Sequence, residues 1–322
     1  MNHRIAIVGA GVAGLAAARV LTARGFGVTL FDKSRGVGGR MATRRADGLQ
    51  FDHGAQYFTA RGERFKAQAA QWALDGRAAE WAPGWFVGTA AMTAPARALA
   101  EGLSVTVGRT ISALRRGPEG WSLGGRGPDG DTLDGPFAAV VLATPAPQAV
   151  PIAASAGLDW PAMRSAGYAP CWALLLAFDA PIGLAAASLR PDDDVLAWIA
   201  RDSTKPGRPP GAETLVAHAA PAWSRAHLED APETVEVALL ARVRQLTGVA
   251  ATPRYAAAHR WRYALVDRPA GEPFLWDSGA RVGACGDWCI GPRIEAAFDS
   301  GEALAFAMAQ DLSQDLGGHD DR

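Results

Sequence analysis

Cysteine is scarce in this 322-residue chain: Cys171, Cys285 and Cys289 form an odd set that closes no disulfide framework and fits a reducing compartment. Neither sign of charge is in excess. With 32 Lys and Arg against 33 Asp and Glu, the net charge of -1 leaves no electrostatic footprint for nucleic acid. Long apolar runs are missing too: the alanine-rich stretch 138–156 is broken by Pro145, Pro147 and Pro151, short of the roughly 20 residues that cross a membrane. Met1-Asn2-His3-Arg4 leads directly into a strand-like run, without the apolar core and cleavage site of a signal peptide. These absences predict a cytoplasmic protein with no nucleic-acid or membrane partner. The six histidines are scattered singly, so no metal site is expected. The tail 317–322 is expected to fray.

What is present is an ordinary globular composition, 49% hydrophobic and 20% charged, long enough for two packed domains. Ile5-Ala6-Ile7-Val8 reads as a buried parallel strand, 13–23 as a helix stopped by Gly25, and Val28-Thr29-Leu30-Phe31 as a second strand ending at Asp32. Between the first strand and the helix stands Gly9-Ala10-Gly11-Val12-Ala13-Gly14. Missing side chains there permit a tight turn and let a pyrophosphate reach the helix N-terminal amides. Asp32 stands where a carboxylate would accept hydrogen bonds from a ribose and repel a 2′-phosphate, which leaves FAD or NAD. Further along, 93–101 reads as a helix, 105–114 and 137–142 as extended, 171–178 and 215–219 as strands, 232–246 as a helix, 282–285 as a strand and 294–311 as a long helix.

Just past Asp32, Lys33-Ser34-Arg35-Gly36-Val37-Gly38-Gly39-Arg40 combines glycines that admit close backbone approach with an arginine able to make charge-assisted bonds to a diphosphate. This segment resembles the second glycine motif of the flavin-containing amine oxidase and phytoene desaturase superfamily. Near the other end, Gly286-Asp287-Trp288 and Gly291-Pro292-Arg293-Ile294-Glu295-Ala296-Ala297-Phe298 resemble that superfamily's ribityl and isoalloxazine site. There the aspartate binds a ribityl hydroxyl, and the helix starting near Ile294 would direct its positive end at the flavin pyrimidine.

Six blocks, read in order, narrow the resemblance to the bacterial renalases: 31–36, Gly54-Ala55-Gln56-Tyr57-Phe58-Thr59-Ala60-Arg61, 143–148, Lys205-Pro206-Gly207-Arg208, Ala258-His259-Arg260-Trp261 and 286–289. The resemblance implies noncovalent FAD and oxidation of the 2- and 6-dihydronicotinamide isomers of NAD(P)H to NAD(P)+, with electrons passed to molecular oxygen. It assigns the cofactor to Gly9, Gly11, Val12, Ala13, Gly14, Asp32, Lys33, Gly39, Arg40, Gln56, Tyr57, Ile111, Thr144, Asp287 and Ile294. It assigns the small-molecule dinucleotide substrate to Tyr57, Phe58, Thr59, Ala60, Arg61, His259, Trp261, Trp288 and Arg293. No acid or base is assigned, because a dihydronicotinamide yields hydride without a ring N–H to remove, and needs stacking and orientation instead.

The implied architecture is α/β: a doubly wound, Rossmann-like FAD-binding domain from segments 1–56, 92–150 and 276–322, with an inserted mixed-sheet substrate domain from 57–91 and 151–275. Two other functions remain open: an amine oxidase or dehydrogenase of the same superfamily, disfavoured by only four tyrosines with none paired near the C-terminal motif, and a noncatalytic flavin-binding module.

Overall fold

In the computed structural model, which describes residues 3–317, the apolar run at the N-terminus forms the strand Arg4–Val8, with four of its five residues buried. The remaining tail residues lie outside the described residues. Gly27–Phe31 pairs with this strand on one side and Ala139–Leu142 on the other, both parallel. The six-stranded sheet runs Leu275–Asp277, Val282–Ala284, Ala139–Leu142, Arg4–Val8, Gly27–Phe31, Ser104–Thr106. Only the Leu275–Asp277 edge is antiparallel. Successive crossovers leave Arg4–Val8 in opposite directions, which opens a crevice at its C-terminal end; open α/β sheets bind ligands there.

Helices Val12–Ala23 and Ile294–Gly317 cover one face and share a core with Ile5, Ile7, Leu30 and Leu304. They cross at backbone distance: a Cβ on Gly301 would stand 2.1 Å from the Ala13 carbonyl oxygen, so only glycine permits the contact. The opposite face packs Ala6, Val8, Val140 and Leu142 against a three-stranded antiparallel meander, Thr110–Gly117, Gly120–Gly127 and Gly130–Phe137. The extended stretch expected over 105–114 is two elements, because Gly108 takes a left-handed turn (φ +68°) between them. Likewise Phe137 closes the meander and Ala139 opens the next parallel strand.

The doubly wound α/β architecture agrees with the sequence reading; within the inserted region the five-stranded sheet is wholly antiparallel rather than mixed. Its order is Ser188–Leu189, Leu196–Arg201, Glu213–Ala219, Gly167–Phe178, Tyr255–Arg268. The crossover through helix Pro232–Thr247 joins two strands of like direction, but Gly167–Phe178 lies between them and opposes both. Alternation along that strand sorts its two faces. Trp172, Leu174 and Leu176 pack toward helix Pro232–Thr247, whereas Leu175 and Ala177 face Leu49 and Phe51. Segment 57–91 contributes Phe58, Phe65 and Trp72 to the core of the parallel sheet, and its Trp81 donates to Thr204 Oγ1 (3.2 Å), so it packs on both units. We propose that the folding units divide near residues 56, 92, 150 and 276.

Candidate cofactor and substrate site

The first glycine turn is built by contacts that a side chain would destroy. A Cβ on Gly14 would stand 2.0 Å from the Gly9 carbonyl oxygen, and one on Gly9 (φ +107°) 2.7 Å from that of Ala143. Gly11 differs: a Cβ there meets nothing within 4 Å, so it borders open space. Gly11 also caps helix Val12–Ala23 with no side-chain hydrogen bond, leaving Val12 and Ala13 in a helix start whose amides and dipole favour an anion. Asp32, 8% exposed, accepts hydrogen bonds from Ala10 N (2.8 Å) and Ser34 N (2.7 Å), tying the turn to the second strand. Each carboxylate oxygen retains further acceptor capacity for a ribose. Lys33 is exposed beside it.

The second glycine motif folds onto the first, with the Cβ position of Gly39 only 3.5 Å from Gly11 Cα. Arg40 is the hub of the site. Its carbonyl accepts from Ala55 N (2.8 Å), and its guanidinium grips Asp287 at two points, 2.7 and 2.6 Å. Arg40 and Asp287, expected at different parts of FAD, thus hold each other and bring the chain's two ends together. Thr144 lies at the crevice with its Oγ1 buried and unpartnered, 3.2 Å from a would-be Gly9 Cβ at its methyl. Uncapped amides, open space at Gly11, the acid on the second strand and this orphaned hydroxyl together fit a dinucleotide such as FAD.

The five-stranded sheet presents one row of side chains to this crevice. Trp198 opposes His218, His218 opposes Ala173, and Ala173 opposes His259, so all four share a face. Segment 53–57 runs along the row: the His53 ring meets His259 at 4.6 Å, Gln56 lies 3.4 Å from His218 Nε2, and Tyr57 meets Trp198 at 5.8 Å. Trp261 joins the first pair, 4.9 Å from His53 and 4.8 Å from His259, and its indole donates to His53 O (2.9 Å). Period-two alternation turns Arg260 and Arg262 to the other side, where both bind Glu229. Burial, reinforced by His259, lowers His53 to about 3; burial lowers His218 to about 4; burial with nearby Arg44 lowers His259 to about 4. These rings are neutral at physiological pH.

Beneath segment 52–56 lies a charge cluster without solvent exposure. Lys205 Nζ stands 2.6 Å from Asp202 and 3.5 Å from Asp52, and donates to Gln56 Oε1 (3.3 Å); Arg208 pairs with Asp52. Burial opposes the Asp52 charge, but Lys205 and Arg208 hold it below the usual carboxylate range. Burial, with Asp52 adding, raises Asp202. The cluster fixes the Gln56 amide and with it the path of 52–56. At the far end Glu295, 3% exposed, accepts from Arg61 N (3.0 Å) and from Gly62 N. It thereby docks segment 59–62, including Thr59 and Ala60, on the start of the Ile294 helix.

The remaining assigned residues divide. The side chains of Arg61 and Arg293 are exposed, the latter 3.9 Å from Glu295. Phe58 (3% exposed) packs among Phe65, Trp72 and Phe86, and Trp288 (1%) donates its indole N–H to Thr144 O (3.2 Å) inside the second core. Both are almost fully enclosed by protein, and their assignment to the substrate stands as a proposal. Ile111 is likewise a core residue. The three cysteines are free; burial raises the Cys289 thiol to about 12. His53, His218, Trp198, Asp52 and Asp202 were not singled out in the sequence: strand register places Trp198 and His218, while Asp52, His53 and Asp202 lie in the turns that follow strands Leu49–Phe51 and Leu196–Arg201.

A mostly parallel α/β sheet with uncapped glycine turns at its switch point is a dinucleotide-binding framework, and the match to a flavin-containing family makes FAD its cofactor. The chain belongs to the flavin-containing amine oxidoreductase family, whose profile matches residues 60–305, and residues 7–72 match the NAD(P)-binding Rossmann-like domain. Among curated proteins it is similar to hydroxyneurosporene desaturase of Rubrivivax gelatinosus, 49% identical over 60 residues. That match takes in 19% of this chain and 11% of the desaturase. A cyclohexylamine oxidase from Brevibacterium oxydans superposes with a TM-score of 0.68 at 13% identity, covering 97% of this chain and 100% of that one. Putrescine oxidase bound to putrescine gives 0.66 at 14%, over 95% and 99%. These structures share the fold. Among the described residues no helix is long and apolar enough to cross a membrane.

Proposed function

We propose that this chain oxidises the 2- and 6-dihydronicotinamide isomers of NAD(P)H to NAD(P)+, in the manner of the bacterial renalases, with oxygen as electron acceptor and FAD held noncovalently. The observation that carries this reading is the composition of the wall over segment 53–57. It consists of neutral rings, His53, His259 and Trp261, while the acids around it are committed: Asp287 to Arg40, Asp52 and Asp202 to Lys205 and Arg208. Such a wall stacks and orients a planar ring but offers no free carboxylate to take a proton, which suits a hydride donor that loses none. Bound FAD supplies the hydride-accepting centre.

In this reading the cofactor residues are those of the two glycine turns, Asp32, Arg40, Gln56, Thr144, Asp287 and Ile294. His259 and Trp261 orient the substrate ring, Tyr57 contacts the substrate from the other end of segment 53–57, and Arg61 and Arg293 offer exposed positive charge to a further anionic group. Oxidation of an amine is the alternative that the likeness to amine oxidases raises. Anaerobic mixing with single dihydronicotinamide isomers and with simple amines separates them by flavin absorbance. Rapid bleaching by an isomer and none by amines is expected; bleaching by amines alone would overturn the proposal.

A further inference from the structure

Arg190 follows the edge strand Ser188–Leu189 and precedes Asp192, Asp193 and Asp194, yet among the described residues it forms no ion pair. Its exposed guanidinium instead lies over three rings at once, 4.9 Å from Trp198, 5.4 Å from Trp85 and 5.9 Å from Tyr57, and donates to the Tyr57 hydroxyl. The rings form a box of their own: Tyr57 stacks on Trp85 at 4.2 Å and 10°, and Trp198 is 5.7 Å from Trp85. A second observation points to a ligand. Trp198 is 6% exposed, and its indole nitrogen is buried with no hydrogen-bond partner. Buried donors are ordinarily satisfied, so an unmatched one beside a preorganised cation marks a place for an acceptor.

Position supplies the rest. Trp198 is in the row that ends at His259, and Tyr57 is on the segment that follows that row, so box and ring wall face the same crevice from its two ends. We infer that Arg190 is a phosphate-binding arm of the substrate site, held over the Tyr57, Trp85 and Trp198 box to receive the diphosphate of a nicotinamide dinucleotide. The inference rests on the proposed substrate class and adds a specificity determinant to it. The rings fix the guanidinium plane and reduce the rotamer freedom lost on binding, while its outward donors remain free for a bidentate phosphate contact.

The test compares a dihydronicotinamide dinucleotide with the corresponding dihydronicotinamide riboside, which carries no phosphate, in anaerobic flavin reduction. Wild type should prefer the dinucleotide in half-saturating concentration, and Arg190→Ala should reduce that preference by roughly 10- to 150-fold, as expected for a lost charge-assisted contact. Arg190→Lys, which keeps the charge but not the fork, should retain part of it. An unchanged preference in Arg190→Ala overturns the arm. Calorimetry with ADP-ribose on the holoenzyme separates the arm from the redox reading. Loss of ADP-ribose binding in Arg190→Ala supports the arm even if no dihydronicotinamide bleaches the flavin. Equal binding by both proteins, with dihydronicotinamides still bleaching it, overturns the arm and leaves the redox reading standing.

Discussion

Arg40 and Asp287, 247 positions apart, form a two-point ion pair in which Asp287 is almost fully enclosed (7% exposed) and Arg40 is partly open (30%). It joins the second glycine motif to the C-terminal flavin motif. Removing Arg40 leaves an enclosed carboxylate without a partner, which costs more than the pair itself contributes. Arg40→Leu should therefore destabilise the protein by about 2–4 kcal/mol, allowing for the partial exposure of the arginine. Arg40→Leu with Asp287→Leu should recover stability in urea unfolding without recovering FAD. A double variant no more stable than Arg40→Leu would mean that the pair is not coupled.

The two glycines of the first turn separate packing from cofactor space. Gly14→Ala places a methyl 2.0 Å from the Gly9 carbonyl and should cost about 1–3 kcal/mol or more in stability. Gly11→Ala meets no protein atom and Gly11 is extended, so its apo-protein should melt like wild type while binding FAD at least about tenfold more weakly. Normal FAD affinity in Gly11→Ala would place the pyrophosphate elsewhere.

Lys205 has no exposed surface and faces both Asp52 and Asp202. Lys205→Met should cost about 3–5 kcal/mol in urea unfolding because Asp202 loses its nearest cation. Adding Asp202→Asn should return a part of that. A loss below about 1 kcal/mol would mean that the cluster is not charged.

Acid should destabilise the protein through its buried histidines. His53 and His218 are lowered from 6.5 to about 3 and about 4, so below pH 6.5 the unfolded chain binds protons that the folded one refuses. Their contribution to stability is complete above pH 6.5 and falls as pH drops toward their folded values, by up to about 1.4 kcal/mol per pH unit for each group. Urea midpoints between pH 7 and pH 5 check this with His218→Gln, which should flatten the slope. An identical slope in the variant would contradict the assignment.

Much of the cofactor framework is legible in the sequence because it is local. Gly9 to Gly14 and Asp32 lie within one strand, helix, strand unit, and the loss of side chains at set positions is a direct statement about backbone approach. The Trp198, His218, Ala173, His259 row is not legible, since it depends on the register of four antiparallel strands, and no local pattern specifies which residue opposes which. Phe58 and Trp288 show the related difficulty with aromatics: the same residue type builds a core or a ring wall, and only burial separates them. Arg190 carried no motif at all.

In the proposed reaction a dihydronicotinamide reduces the flavin without a protein base. The most direct measurement is an anaerobic single turnover with the preferred isomer across pH 6 to 9, following flavin bleaching and NAD(P)+ together. NAD(P)+ should form in stoichiometric yield with the reduced flavin, at a limiting rate that is flat in pH because the rings of His53 and His259 stay neutral throughout that range. Bleaching without NAD(P)+, or a limiting rate that climbs through an ionisation near neutrality, would contradict it.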